Sequence, residues 1–468
     1  MNHPATANLS EVIDSQPIST FQFRIFFLCF LCLLIDGFDA QALGYVVPAI
    51  GKDWGLSPAA FAPAFSAGLI GMAIGAIGLG SLADYIGRRK IIILCTAMIG
   101  ICTVSMAFVS TLHALIVLRV LAGLALGGLL PNIFALGSEY SPARRRAMTV
   151  MIISCGISLG SALGGVTAGA LLKSRGWPIV FEIGGAMPLL LALVMLVGLP
   201  ESISFQAIRD VSRAKFAGLM AKVCPQLTFA PDTRFVVTEQ RAPGLTVKHL
   251  FAHGRAVATL LIWVVYFMCL LEIYFFASWL PTLLHKSGIS LEMSVYATSA
   301  LQIAGAIASL TLGIVLERFN PGRVLALLYL LGTAAIFGIG ASLGNPVALV
   351  IATALAGAGI VGGQACTHAI ASRIYPTAMR STGIGWGLGI GRIGSVIGPL
   401  IGGTLLTLNW SSEHMLYAGA VPALLAALAA AGLSLTFSRV DRANKVAAQH
   451  GEPASPELTT FISSNTGH

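Results

Sequence analysis

Twelve long apolar runs dominate this chain, and they leave it one environment in which to fold, the lipid bilayer. A helix needs about 20 apolar residues to cross the hydrocarbon core, and in lipid only helices and closed barrels satisfy their own backbone. Spans are predicted at 23–47, 60–83, 90–110, 112–138, 146–172, 178–199, 256–279, 294–316, 322–342, 346–373, 380–408 and 413–437 of the 468 residues. Only 10% of the residues are charged, against about 25% in a soluble domain. The 52 glycines fit the same reading, because small residues let helices approach closely in lipid. The expected fold class is an all-α membrane protein.

The net charge of +9 suggests nucleic-acid binding only until its distribution is considered. Of the 28 Lys and Arg, four (Lys52, Lys173, Arg175, Lys286) fall on one side of this topology and two (Arg119, Arg392) inside helices, leaving 22 on the other side. Basic residues concentrate on the cytoplasmic side of membrane proteins. Both termini are therefore expected in the cytoplasm, the chain in the cell inner membrane, and nucleic acid is not an expected partner. Seven of the eight cysteines lie in predicted spans and Cys224 lies outside them, so no disulfide framework is expected. Cys29-Phe30-Leu31-Cys32 matches C-x-x-C without the βαβ setting of a redox motif. The first 22 residues are polar, and no cleavable signal peptide is expected.

The predicted organisation is a cytoplasmic N-terminal tail (1–22), a six-helix half (23–199), a cytoplasmic linker (200–255), a second six-helix half (256–437) and a cytoplasmic C-terminal tail (438–468). The halves repeat. Gly127-Gly128, Tyr140 and Arg145 recur as Gly362-Gly363, Tyr375 and Arg380 at a constant offset of 235, and Gly80-x-x-x-Asp84 recurs as Gly313-x-x-x-Glu317 at 233. Two pseudo-symmetric halves of six helices are a transporter design, with substrate near the midplane. The first, fourth, seventh and tenth spans are expected to line a central cavity.

Charges inside spans nominate the chemistry. Asp36 and Asp39 stand three residues apart in the first span, on one helix face, roughly 20 and 24 Å from its inner end at 1.5 Å per residue. An ionised Asp at mid-membrane costs about 2.5–3.5 kcal/mol or more, so such a pair is either functional or held in a structural salt bridge. Neighbouring acids do not ionise together easily, which suits proton coupling. Arg119 in the fourth span reaches a similar depth, roughly 28 Å by the same rise, and is expected to pair with Asp36 or Asp39. Arg392 lies at mid-depth in the eleventh span, within Gly389-Ile-Gly391-Arg392-Ile-Gly394. The string matches a dinucleotide fingerprint but lacks the preceding strand and the downstream acid. Arg392 either takes a substrate carboxylate in a two-pronged contact or pairs with Glu272 of the seventh span. That span also carries Trp263, Tyr266, Phe267, Tyr274, Phe275, Phe276 and Trp279. Trp279 reads as a membrane-interface residue, most of the rest as lipid-facing packing, and Tyr266 or Tyr274 as a surface on which a planar substrate stacks. His368 in the tenth span either relays protons or serves structure, and Glu182 lies in the sixth. Candidate substrate contacts are thus Arg392, Asp39, Glu272, Tyr266, Tyr274 and His368. No metal-ligand cluster, nucleotide-binding loop or nucleophile elbow is found, so neither a cofactor nor enzyme activity is expected.

The loops are as specific as the spans. Gly80-Ser-Leu-Ala-Asp84-Tyr-Ile-Gly87-Arg88-Arg89-Lys90 joins the second and third spans, and Glu139-Tyr-Ser-Pro142-Ala-Arg144-Arg145-Arg146 the fourth and fifth. By charge alone both are topology anchors. Together they resemble the signature loops of the major facilitator superfamily, with Tyr85 where that family carries a basic residue. The resemblance covers residues 23–437 and implies its fold. It also implies a cytoplasmic gate at Gly80, Asp84, Gly87, Arg88, Arg89, Glu139, Arg144, Glu317, Arg318 and Arg380. Arg119-x-x-x-Gly123 resembles the family's proton-coupling motif in its fourth helix.

Asp36-Gly-Phe-Asp39, Pro200-Glu201-Ser202, Leu250-Phe-x-x-Gly254-Arg255, Ser278-Trp279-Leu280-Pro281 and Tyr375-Pro376-Thr377-x-x-Arg380-Ser381-Thr382-Gly383 together resemble the aromatic acid:proton symporter branch. That branch implies uptake of benzoate-like or hydroxybenzoate-like anions with protons, for catabolism, by a protein expected to act as a monomer. The residues alone give a small anion, and two alternatives stay open: a symporter for a non-aromatic organic anion, and a drug exporter. The fifth span has Gly156, Gly160, Gly164 and Gly165 but no Gly-Pro of the exporter motif, which favours uptake.

Overall fold

The structure is a computed structural model that describes residues 6–208, 213–227, 229, 234–236, 250–251, 255–375 and 380–449. A short strand β1 (Thr6–Asn8) and helix α1 (Leu9–Asp14) precede α2 (Thr20–Trp54), a 3-10 turn (Pro58–Phe61), α3 (Ala62–Ile86), α4 (Arg88–Met106), α5 (Leu112–Glu139), α6 (Ala143–Arg175) and α7 (Pro178–Gly198). Then come α8 (Ile203–Ile208), α9 (Arg213–Val223) and β2 (Arg234–Val236), followed by α10 (Ala256–Lys286), α11 (Leu291–Arg318), α12 (Pro321–Ala341), α13 (Pro346–Ile374), α14 (Arg380–Thr407) and α15 (Ser412–Gln449). Each of the twelve predicted spans falls on a helix long and apolar enough to cross a membrane. The turns are set locally: the Thr111, Ser290 and Asn345 side chains accept from backbone N–H groups in the first turns of α5, α11 and α13, the usual helix start. α10 runs on through Pro281 to Lys286, beyond the predicted end at 279, since a membrane helix tolerates proline where neighbours compensate.

The chain divides into two compact units, one of Met1–Ala42, Ala67–Thr167 and Leu171–Arg241, the other of Leu43–Ser66, Ala168–Ala170 and Ala242–His468. Each unit pairs its helices in the same order. In the first, α2 lies against α6, α3 against α5 and α4 against α7. In the second, α10 lies against α14, α11 against α13 and α12 against α15. The closest approaches share a register. A methyl on Gly160 would fall 1.7 Å from the Leu34 carbonyl oxygen, and one on Gly394 2.3 Å from that of Phe267. Likewise Gly123 abuts the Gly68 carbonyl at 2.0 Å and Gly357 the Leu301 carbonyl at 1.9 Å. Leu34 to Phe267 and Gly68 to Leu301 are both offsets of 233, and Gly160 to Gly394 and Gly123 to Gly357 both offsets of 234.

Parts of the expected tail and linker are built into the first unit. Leu9, Val12 and Ile13 are buried in one cluster with Phe216, Met220, Val223 and Cys224, and β1 pairs in parallel with β2. All eight cysteines are free thiols.

Candidate functional site

In the first unit α2 and α5 hold two acids and a base in confinement. Asp39 is 0% exposed, Asp36 3% and Arg119 6%. Arg119 Nη1 donates to Asp39 Oδ2 at 3.2 Å and to the Asp39 carbonyl at 3.3 Å. The Thr103 hydroxyl, from α4, donates to Asp39 Oδ1 at 2.6 Å. The sequence left the partner of Arg119 open between the two acids; the contact is with Asp39. Glycines create the room. A methyl on Gly37, between the acids, would lie 1.8 Å from the Ile157 carbonyl oxygen of α6, so α2 and α6 touch there, and the Ser161 hydroxyl donates to the Gly37 carbonyl at 2.9 Å. A methyl on Gly68 would sit 3.5 Å from Arg119 Nε, so the guanidinium lies along the bare face of α3. Removing one member of a buried ion pair costs about 3–5 kcal/mol because the other charge is stranded. Sequence reasoning missed Thr103, because helix hydroxyls usually bond their own preceding turn, as Thr96 does to the Ile92 carbonyl at 2.7 Å.

At one end of the same unit the charged loops bond to each other. Arg88 pairs with Glu139 and lies 3.9 Å from Asp84. Glu139 Oε2 accepts from the Ser202 hydroxyl at 2.6 Å, and Glu201 Oε1 accepts from the Arg89 backbone N–H at 3.0 Å. The Arg89 guanidinium donates to the Leu196 carbonyl. Gly87 takes φ +104°, a left-handed value that favours glycine, and the Glu201 carboxylate fills the space beside it. A methyl on Gly80 would only touch Pro131, at 3.4 Å. Residues ahead of α2 join in: Asp14 Oδ1 accepts from the Ala143 N–H at 2.6 Å, the first residue of α6. Arg144 donates to the Gln16 carbonyl at 3.3 Å and Gln22 to the Tyr140 carbonyl at 2.6 Å. Burial pushes the Tyr140 phenol above its ordinary pKa; its hydroxyl donates to the Glu201 carbonyl at 2.8 Å. Glu201 and Ser202 entered the sequence reading only as part of a motif, and Asp14 and Gln22 not at all. Arg318 is exposed. The side chains of Glu317 and Arg380, also expected at the gate, lie outside the described residues.

The second unit carries the aromatic side chains. Tyr266 Oη lies 2.8 Å from His368 Nδ1, and Arg392 Nη1 donates to Tyr274 Oη at 3.5 Å. Arg392 and Tyr274 are half-buried. Pairing of Arg392 with Glu272 does not occur: Glu272 is 0% exposed, and neither carboxyl oxygen has a hydrogen-bond partner. The expected surroundings of the α10 aromatics also need correction. Trp279 is not at a membrane interface but fully buried. It donates to the Pro399 carbonyl at 3.0 Å and packs edge-on against Phe65, in space that a side chain on Gly402 would fill. Phe275 and Phe276 are buried rather than lipid-facing, and Tyr266, expected as a stacking surface, is buried as well. Glycines of α14 again explain it: Gly387 abuts the Tyr266 ring and Gly398 the Leu271 carbonyl, bringing the aromatic face of α10 inside.

Known proteins share this chain's architecture and sequence. Residues 29–338 and 262–465 match the Major Facilitator Superfamily. The 4-hydroxybenzoate transporter PcaK of Pseudomonas putida is 38% identical over 421 residues, 90% of this chain and 94% of the relative. A gallate transporter of the same species is 39% identical over 429 residues, 91% of this chain and 94% of the relative. Among solved structures, a bacterial homolog of the human lysosomal transporter Spinster superposes with TM-score 0.70 at 17% identity, covering 90% of this chain and 98% of its own. The xylose transporter XylE of E. coli superposes with TM-score 0.67 at 15% identity, covering 87% and 98%. With twelve membrane-length helices among its described residues and repeated six-helix pairing, the chain belongs to the major facilitator superfamily of membrane transporters, in the branch that holds these aromatic-acid carriers.

Proposed function

We propose that the protein is a proton symporter that takes up a small aromatic carboxylate by alternating access, in the inner membrane with both termini in the cytoplasm. The observation that carries this reading is the buried Asp39–Arg119 ion pair, with a second acid, Asp36, one turn away. A carboxylate whose counter-charge can leave is able to load a proton on one side and release it on the other. Relatives named for 4-hydroxybenzoate, gallate and benzoate, the last 33% identical, support an aromatic acid as cargo. In the second unit the half-buried Arg392 with Tyr274 offers a two-pronged hold on a carboxylate, and the half-buried Tyr274 and His368 supply flat faces for a ring; Tyr266, buried, holds His368 through its hydroxyl rather than meeting the substrate. Asp39 responds to the bound anion. Glu272, fully buried, is left out of the substrate contacts. The bonded loop residues from Gly80 to Arg89, with Glu139 and Arg144, act as the cytoplasmic gate together with Glu317, Arg318 and Arg380.

The test is uptake of labelled 4-hydroxybenzoate by the purified protein in liposomes with an imposed pH gradient, acid on the side of entry. Accumulation above equilibrium that a protonophore abolishes is expected. Accumulation that survives collapse of the gradient would remove proton coupling from the reading. Transport of aliphatic acids in preference to aromatic ones would remove the substrate class.

A further inference from the structure

We propose that Glu272 is a second proton-carrying side chain, so that two protons accompany each carboxylate anion. The proposal rests on the symport reading above and adds a residue and a charge to it.

The repeat leads to Glu272. The contacts within each unit make Leu34 and Phe267 equivalent positions, at an offset of 233. The same offset carries Asp39 to Glu272. On the partner helices the offset is 234, set by Gly123 and Gly357, and it carries Arg119 to Thr353. Each unit thus has an acid at the same position of its first membrane helix, and both acids are 0% exposed. Only one has a cation. Thr353 turns its hydroxyl back to the Leu349 carbonyl at 2.9 Å and gives Glu272 nothing.

What surrounds Glu272 makes the same point. Cys269, one turn earlier on α10, and Tyr329 of α12 are its ionisable neighbours, and the Tyr329 hydroxyl is already within 3.4 Å of Thr367 Oγ1. The helices packed on α10 bring His368 from α13, Arg392 from α14, Glu292 and Tyr296 near the start of α11, and Glu413, His414 and Tyr417 near the start of α15. His368 is bonded to Tyr266 and Arg392 to Tyr274; Tyr417 donates to Glu413 and His414 bonds to Ser411. Neither Glu272 oxygen receives a hydrogen bond, and no ion pair forms there among the described residues. A carboxylate with neither donor nor cation inside a membrane helix is far more costly than the neutral acid. The surroundings of Glu272 therefore fit a neutral side chain, whereas Asp39 faces the Arg119 guanidinium at 3.2 Å. Of two related acids, one is arranged to be ionised and the other to be protonated.

The consequence is electrical. One anion with one proton moves no net charge. One anion with two protons moves one positive charge, and the membrane potential then drives uptake in addition to the pH gradient. A 100 mV potential, negative inside, raises the limiting accumulation of such a carrier about 50-fold, whereas an electroneutral carrier does not respond.

The experiment uses the full-length protein in liposomes with labelled 4-hydroxybenzoate, comparing a potassium diffusion potential at equal pH with a pH gradient at zero potential. Wild type is expected to accumulate substrate under either drive. Glu272→Gln is expected to respond to the pH gradient and to lose the response to potential, and Glu272→Asp to keep both. A wild type driven by the pH gradient but indifferent to potential would overturn the inference and leave the symport reading standing, as would a Gln variant still driven by potential. A wild type driven by neither would overturn the symport reading and this inference with it. If the Gln variant fails even to exchange substrate, the proton-to-substrate ratio of the wild type, from its reversal potential, decides: two supports the proposal and one overturns it.

Discussion

Asp39→Asn is the most informative single substitution in the first unit. It keeps the shape and the bond from Thr103, but it cannot cycle a proton and leaves Arg119 without its anion. Proton-driven accumulation should be lost while exchange of labelled for unlabelled substrate continues; stability should fall by up to about 3–5 kcal/mol where Arg119 finds no other partner. Continued accumulation against a gradient by a membrane-inserted Asp39→Asn protein would remove the helix pair from the mechanism. In the second unit Arg392→Lys should weaken substrate binding about tenfold or more, since an ammonium does not reproduce the planar two-pronged contact; wild-type affinity in that variant would make Arg392 structural. The Asp39–Arg119 pair was legible from the sequence, as one of two partners open to Arg119, because a charge in an apolar helix needs a reason. Thr103 was not, since a hydroxyl in a helix has a default partner in its own turn. The solitude of Glu272 was equally hidden, because an acid at the depth of an arginine invites pairing on paper, and only side-chain directions show that the two do not meet.

At the scale of elements, the helix pairs depend on bare glycine faces. Gly37→Ala would drive a methyl to 1.8 Å from the Ile157 carbonyl, a backbone atom that cannot step aside. A loss of about 3 kcal/mol or more is expected, at or above the upper end of ordinary overpacking, seen as a lowered melting temperature in detergent. Gly385→Ala is the control: nothing lies within 4 Å of its missing methyl, and no loss is expected. The segment before α2 gives a second measurement. Burial against Val12 and its neighbours pushes the Cys224 thiol up to about 11. The docked state favours the protonated thiol, so this contribution to docking is complete below the ordinary thiol pKa and fades as pH rises toward 11. Maleimide labelling of Cys224 should be slow at neutral pH, and Val12→Asp should accelerate it; equal rates would mean that α1 does not cover the thiol. Hydropathy revealed the twelve long helices and passed over α1 and α9. Phe216, Met220 and Val223 do carry a helical spacing, but over 11 residues rich in charge that signal is faint beside membrane spans.

Over the whole molecule, the sequence repeat suggests halves that divide cleanly at the linker; the contacts do divide the chain there, between Arg241 and Ala242, but not cleanly. Leu43–Ser66, the end of α2 and the turn into α3, belongs with the second unit. Gly44 abuts the Ala277 carbonyl, Phe65 packs on Trp279 at 5.3 Å between ring centres, and the Ser66 hydroxyl donates to the Val396 carbonyl at 2.9 Å. A hydrophobicity profile cannot show this, because it reports that a helix is apolar and not which neighbours it meets along its length. The linker is a safe place to cut only beyond β2, whose pairing with β1 ties 234–236 to the first unit. Expressed as two fragments, 1–240 and 241–468, the chain should reassemble: a tag on one fragment should recover the other from membranes, and uptake should return only when both are made together. The second fragment by itself lacks the segment that covers Trp279 and the α14 carbonyls near it, so it should be polydisperse in detergent. A 241–468 fragment that is monodisperse alone, and melts where the full chain does, would show that the α2 extension contributes nothing to the second unit.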